Sequence, residues 1–165
     1  MFASTFLATD ILTEFYSAKD ARKAVRLGLF ADVILIIATQ IALAYTPSEF
    51  DYAHESMKTL FSLNLRISIA SAVMYYVANM ADIYLFSKIR EKTAGTKLWL
   101  RNNISTILCN CLENFGFIGL AFAGIYDIGT IMTIALSTSL VELVVAICDT
   151  PFLYLAKRIR NGDEA

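Results

Sequence analysis

Apolar residues run along this 165-residue chain in four blocks longer than a soluble core element needs, at positions 27–46, 60–87, 104–126 and 130–156. Each meets the roughly 20-residue length with which an α-helix crosses a hydrocarbon layer about 30 Å thick. Lipid offers the backbone no hydrogen-bond partner, so a spanning segment must satisfy its own N–H and C=O groups, as a helix does. The opening block, 2–16, differs, because Asp10 and Glu14 interrupt it. Fifteen residues at about 1.5 Å each reach only about 22 Å. With neither a basic start nor a small-residue cleavage site it is not a signal peptide, and it reads as a short or broken membrane helix. The pattern predicts an all-α integral membrane protein: one polytopic domain over 1–165, with four full transmembrane helices behind a short N-terminal one. Pro47 is expected to stop the first span. Pro151, inside the last, removes a backbone hydrogen bond and favours a kink.

Polar residues inside these blocks keep helical spacing, which places them on shared faces. In the second block Ser68, Ser71, Tyr75, Asn79 and Asp82 fall within an arc of about 80° at 100° per residue. In the third, Thr106, Asn110, Glu113 and Phe117 share a face; in the fourth, Thr138, Glu142 and Asp149 do so. Asp10 and Glu14 share one in the opening helix. A carboxylate at the centre of a spanning helix costs about 2.5–3.5 kcal/mol on insertion scales. Asp32, Arg66 and Asp82 lie near block ends, where a long side chain can reach the interface, and Arg66 reads as an interfacial anchor. Ser68 and Thr138 also suit helix-to-helix hydrogen bonds of about 0.6–2 kcal/mol. Glu113 and Glu142 are different, being near mid-span with no mid-span Lys or Arg to neutralise them. They must be protonated, reached by water, or paired with a cation or with a ligand's N–H donors. Each of these options belongs to a solute or proton pathway, so both are expected to line an interior cavity with Asn79 and Asn110.

Charge then orients the helices. Only 18% of residues are charged and 57% are hydrophobic, against roughly 25% and 45–50% in soluble domains. Twelve of the 14 basic residues fall in segments that alternating spans place on one side. These are Lys19, Arg22, Lys23 and Arg26; Lys88, Arg90, Lys92, Lys97 and Arg101; and Lys157, Arg158 and Arg160. The opposite connections carry Glu49, Asp51, Glu55 and Asp127 against Lys58 alone. Positive residues stay inside, so the basic loops and the C-terminus are expected on the cytoplasmic face of the membrane. The net charge of −1 gives no argument for nucleic acid.

Little catalytic chemistry is on offer. Cys109, Cys111 and Cys148 lie in apolar blocks at spacings that fit neither a disulfide framework nor zinc pairs, and read as small packing residues. The single histidine, His54, sits in an acidic loop, so neither a histidine metal site nor a Ser-His-Asp triad can form within the apolar part. No catalytic group, metal or cofactor is expected, and no phosphate-binding G-x-x-x-x-G-K-[ST] run is present.

The same blocks resemble, in order and at matching spacing, the queuosine precursor transporter family, also described as vitamin uptake transporters. FLATDILTEFYSAKDARKAV (6–25) looks like the family's block of a membrane Asp followed by Glu, an aromatic and a basic turn. LRISIASAVMYYVANMADIYLFSKIR (65–90) looks like its Arg-, Ala-Ser- and Asp-bearing helix. KLWLRNNISTILCNCLENFGF (97–117) carries its W-L-R-x-N-x-S-T pattern, and CDTPFLYL (148–155) its D-T-P-F-x-Y-L ending. The resemblance covers nearly the whole chain. It implies a six-helix inner-membrane importer of 7-deazaguanine bases, with Asp10, Glu14, Asp82, Arg101, Asn102, Ser105, Thr106 and Asp149 on the family's pattern. A guanine-like base offers adjacent N–H donors that a carboxylate accepts in pairs, and Asn or Arg can address its carbonyl. Phe117 or Tyr75 could stack on the ring. This chain begins inside the family's first acidic block, so it is expected to lack one N-terminal helix. It also departs from the pattern with Asn110 for Gln, Glu113 and Asn114 around an Asp position, and Glu142 for Lys, which reverses a charge in the expected cavity.

The expected partners are membrane lipid and a small base-like solute, with homo-oligomerisation left open. Three other readings remain. The chain could be the substrate-capture subunit of a multi-component, energy-coupled vitamin transporter, to be recognised by co-purifying ATPase subunits. It could be an intramembrane enzyme using a close carboxylate pair such as Asp10 and Glu14, or a purely structural membrane protein.

Overall fold

The computed structural model describes residues 3–46, 48, 50–56, 58, 65–94 and 97–163. Phe2, Pro47, Glu49 and the start of the second expected span, 60–64, lie outside them. Among the described residues the chain forms α1 (Ala3–Phe15), α2 (Ala18–Ala44), α3 (Leu65–Lys92), α4 (Leu98–Phe122) and α5 (Ile128–Asp163), with no strand. Four of these are long and apolar enough to cross a membrane: α2, α3, α4, and α5 over Ile128–Ile159. α1, at 13 residues, is the short N-terminal helix the two acidic interruptions predict.

The helices overrun the apolar blocks, because apolarity marks what lipid covers and not where helical hydrogen bonding ends. α2 starts nine residues before position 27, at a Ser17 cap whose hydroxyl accepts from the Asp20 N–H at 3.2 Å. This cap satisfies one of the N–H groups a helix start leaves open, and it puts Lys19, Arg22, Lys23 and Arg26 on the first turns of the helix. α4 stops at Phe122, short of position 126, where Gly124 turns the chain with φ +81°. α5 then starts on Asp127, whose carboxylate accepts from the Thr130 N–H at 3.0 Å and the Thr130 hydroxyl at 2.6 Å. Pro151 lies within α5, and the helix continues on both sides of it.

Packing runs α2 against α3, α3 against α4 and α4 against α5, with α1 inserted beside all four. Phe6 of α1 packs with Ala78 of α3 and Cys109 of α4. Tyr75 of α3 lies so close to Gly28 of α2 that any side chain there would meet its ring. Arg66 is more than an interfacial anchor, since it donates to the carbonyls of Leu120 at 2.9 Å and Ala123 at 2.8 Å. Those carbonyls belong to the end of α4, where helical partners run out, so the start of α3 is tied to the end of α4. At the opposite end Glu14, Arg90, Arg101 and Lys157 meet. The ends of α1, α3 and α5 and the start of α4 therefore converge, as the alternating placement of the basic segments requires. Most large apolar side chains of α2, and many on the outer faces of α4 and α5, are exposed, which suits a lipid surround.

Candidate functional site

The buried polar residues occupy two levels. α4 carries the stripe that connects them: Arg101, Asn102, Ser105, Thr106, Asn110, Glu113 and Asn114 are all buried. Its spacing keeps one face turned inward over three turns, and Arg101 and Glu113 are about 18 Å apart along the axis.

At the upper level, away from the basic end, a cavity of about 280 Å³ opens between α3, α4 and α5. Ser71 and Met74 reach it from α3, Glu113, Asn114 and Phe117 from α4, and Thr138 and Glu142 from α5. Ile118, Phe122 and Ile134 complete an apolar wall. Small-molecule pockets run from about 300 to 1,000 Å³, so this one suits a single small ring system. Glu113 is only 6% exposed, and its Oε2 has no hydrogen-bond partner among the described residues. An unpaired buried acceptor costs roughly 1–3 kcal/mol, and more when charged, which a ligand donor would relieve. Glu142 lies within electrostatic reach of Glu113. The Asn114 amide holds it by donating to Oε2 at 2.7 Å, and also approaches the Ser139 hydroxyl at 3.3 Å.

The lower level is a packed ion cluster. Glu14 accepts from Arg101 through Oε2, which also lies 3.7 Å from Arg90, while its Oε1 is 3.4 Å from Lys157. Arg90 also donates to the Thr13 carbonyl at 3.2 Å. The Arg101 guanidinium lies 5.1 Å from the Phe86 ring centre. One turn inward, Asp10 sits beside Asp82, Thr106 and Arg101, with the Thr106 hydroxyl 3.3 Å from Asp10 Oδ2. Ser105 lies beside Asp82. Asn102 and Asn103 both donate to the Thr150 hydroxyl, at 3.4 and 2.9 Å, pinning α4 to α5.

The candidates from the sequence therefore divide. Glu113, Phe117 and Glu142 come together around the cavity. Asn79 and Asn110, expected beside them, do not line it. Asn79 is fully buried and donates to the Tyr75 carbonyl at 2.8 Å. Asn110 borders a separate apolar groove between α4 and α5. Tyr75 turns its ring toward α2. Asp10, Glu14, Asp82, Arg101, Ser105 and Thr106 belong to the lower cluster, Asn102 to the α4–α5 pin, and Asp149 is half-buried on α5 outside the cavity wall. Helical periodicity separates faces but not neighbouring walls of a bundle, so residues one turn apart end up in different sites. Asn114 is the residue that spacing missed. Its signal is its place four residues after Asn110 on the same buried stripe. Cys109 packs in the core as expected, whereas Cys148 is exposed.

Comparison with known proteins gives the family. The family model described as "Putative vitamin uptake transporter" matches residues 1–156. A "Probable queuosine precursor transporter" of Bacillus subtilis is 33% identical over 165 residues, covering 99% of this chain and 72% of the relative. A protein of the same name from Haemophilus influenzae is 29% identical, covering 73% of this chain and 49% of the relative. The "Queuosine precursor transporter" of Escherichia coli is 26% identical over 73% of this chain and 52% of its own length. The chain thus spans about half the length of the last two. No solved structure matches. With a family match over nearly its whole length and four helices able to span a membrane, this chain belongs to the vitamin uptake transporter family of multi-pass membrane proteins.

Proposed function

We propose that the chain imports a small nitrogen-rich solute, a 7-deazaguanine precursor of queuosine or a related base, and recognises it in the cavity between α3, α4 and α5. The observation that carries this is the buried, unpartnered Oε2 of Glu113 in a cavity of one-ring-system size. A guanine-like edge presents paired N–H donors to such a carboxylate. Phe117, one helical turn away on the same wall, supplies a face on which the ring can stack, an interaction worth about 1–3 kcal/mol for a base. Names of the relatives support the substrate class. We place the protein in the cytoplasmic membrane with its basic end inside, on the partition of its basic residues. A single cysteine at position 92 (Lys92→Cys) should be labelled only from the cytoplasmic side, and labelling from outside reverses the orientation.

Uptake and direct binding of a labelled 7-deazaguanine base by the full chain test the function. Glu113→Gln keeps the size but turns one acceptor into a donor facing the ligand's own donors. A hydrogen bond to a charged group is worth about 1.5–3 kcal/mol, so affinity should fall roughly 10- to 150-fold. Unchanged affinity removes Glu113 from recognition. Wild-type protein that neither binds nor takes up the base removes the substrate assignment. Binding with uptake only when ATPase subunits are supplied makes the chain a capture subunit.

A further inference from the structure

We propose that the cavity is selective for a cationic solute, a base bearing a protonated amine, with Glu142 as the counter-ion of the ammonium and Glu113 as the acceptor for ring N–H donors. This rests on the small-base reading of the same cavity and narrows it by charge.

Among the described residues two carboxylates face this cavity and no basic side chain does. Among the described residues the basic side chains nearest the bundle interior are engaged elsewhere. Arg90, Arg101 and Lys157 surround Glu14 at the far end, about 18 Å away along α4. Arg66, at the near end, is held by the carbonyls of Leu120 and Ala123. Among the described residues no side chain supplies the positive charge that would complement the cavity, and a cationic ligand would bring it.

The local hydrogen bonding gives the two carboxylates different tasks. Asn114 donates to Glu142 Oε2 at 2.7 Å. That bond fixes the carboxylate's direction and uses one acceptor position, leaving its other oxygen to pair with an ammonium. Glu113 has its Oε2 buried without a partner, so it suits short, directional N–H bonds from a ring edge. The two groups feel each other electrostatically, and a neutral ligand would satisfy hydrogen bonds while leaving their repulsion in place. A ligand with a single positive charge relieves both. Phe117 adds a ring face toward the same space, and aromatic faces attract cations as well as stack on bases.

Two near-isosteric probes separate charge from shape: 7-aminomethyl-7-deazaguanine, cationic at neutral pH, and 7-cyano-7-deazaguanine, which is neutral. Binding of each to the purified full chain in lipid nanodiscs is measured by calorimetry. The amine should bind about 10- to 150-fold more tightly, the span expected for one charge-assisted hydrogen bond. Acetylating the amine should abolish that advantage in wild-type protein, which checks the charge without any mutation. Glu142→Gln should remove the preference while moving the affinity for the nitrile by no more than a few-fold. Equal affinity for the two probes, tighter binding of the nitrile, or a preference that survives Glu142→Gln overturns the cation selectivity and leaves base recognition standing. Binding of neither probe overturns both.

Discussion

Glu14→Gln isolates the ion cluster at the basic end, because it keeps the side chain's volume and removes only its charge. The three partners differ in burial: the Arg101 side chain is 0% exposed, Arg90 45% and Lys157 38%. Half-exposed pairs contribute about 0–1 kcal/mol, since water screens them and long side chains lose rotamer freedom. A fully buried cation left without its partner costs far more, about 3–5 kcal/mol. Arg101 keeps the Phe86 ring and the neighbouring Asp10 after the substitution, so the loss should fall at the low end of that range, about 3 kcal/mol. Arg90→Gln and Lys157→Gln should each cost under about 1 kcal/mol. The discriminating variant is the pair Glu14→Gln with Arg101→Met. Removing the stranded cation along with its partner should recover about 1–2 kcal/mol relative to Glu14→Gln alone, within the usual coupling range for contacting residues. Reversible unfolding in mixed micelles, followed by circular dichroism, gives the free energies of these four variants and of Arg101→Met alone. A double variant no more stable than the sum of its singles, or a Glu14→Gln loss equal to that of Lys157→Gln, refutes the view that burial of Arg101 dominates the cluster.

Gly28→Ala and Gly116→Ala should behave differently although both create close contacts. A Cβ at 28 would lie 2.4 Å from the Tyr75 hydroxyl oxygen and 3.3 Å from the ring carbon bearing it; the rigid ring forces α2 and α3 apart, at about 1–3 kcal/mol of stability in thermal or denaturant unfolding. At 116 the contact is with the mobile end of Met74, 2.3 Å away, so folding should survive while the displaced thioether narrows the cavity and weakens base binding, measured by titration calorimetry. Ala94 occupies the left-handed region at φ +47°, and Ala94→Gly should raise stability by up to about 1 kcal/mol in the same unfolding assay, once the extra entropy of glycine is set against the relieved strain. Hydrogen bonds from Thr130 hold the Asp127 carboxyl below its ordinary pKa, so its cap on α5 is fully present above the unfolded pKa and is lost as pH falls through the folded one. Amide exchange at the start of α5 should therefore accelerate in acid, and Asp127→Asn should flatten that dependence.

The four spans and the short first helix are legible in the sequence, because the length of an apolar run maps directly onto bilayer thickness. Helix ends are less so. Ser17 and Asp127 cap helices whose first turns are charged or exposed, and no hydropathy pattern marks that transition. In the site, the face shared by Glu113 and Phe117 follows from helical spacing, and both reach the cavity. Spacing also put Asp10, Glu14 and Asp82 on inward faces, and all are buried or nearly so, as is Arg101, which read as a loop charge and entered the site only through the family resemblance. It gave them no depth. Arg90 and Lys157 read as loop charges that set orientation, yet their flexible stems let both ammonium and guanidinium groups fold back onto Glu14.

That return of the loop cations changes what the acidic residues are for. Were Glu14 and Asp10 open to the cavity, the chain would offer four carboxylates to one solute. Arg101, Arg90 and Lys157 instead occupy Glu14, and Arg101 also acts on Asp10, so three cations stand with the carboxylates of the lower cluster. Glu113 and Glu142 have no such partners along their helices, and α4 offers only neutral Asn110 and Thr106 between the two levels. The same stripe on one helix thus carries a cation-bearing cluster at the basic end and, among the described residues, a cavity without a basic side chain above it. If recognition belongs to the cavity, as proposed, substitutions in the lower cluster should be read first in stability and those around Glu113 first in ligand affinity.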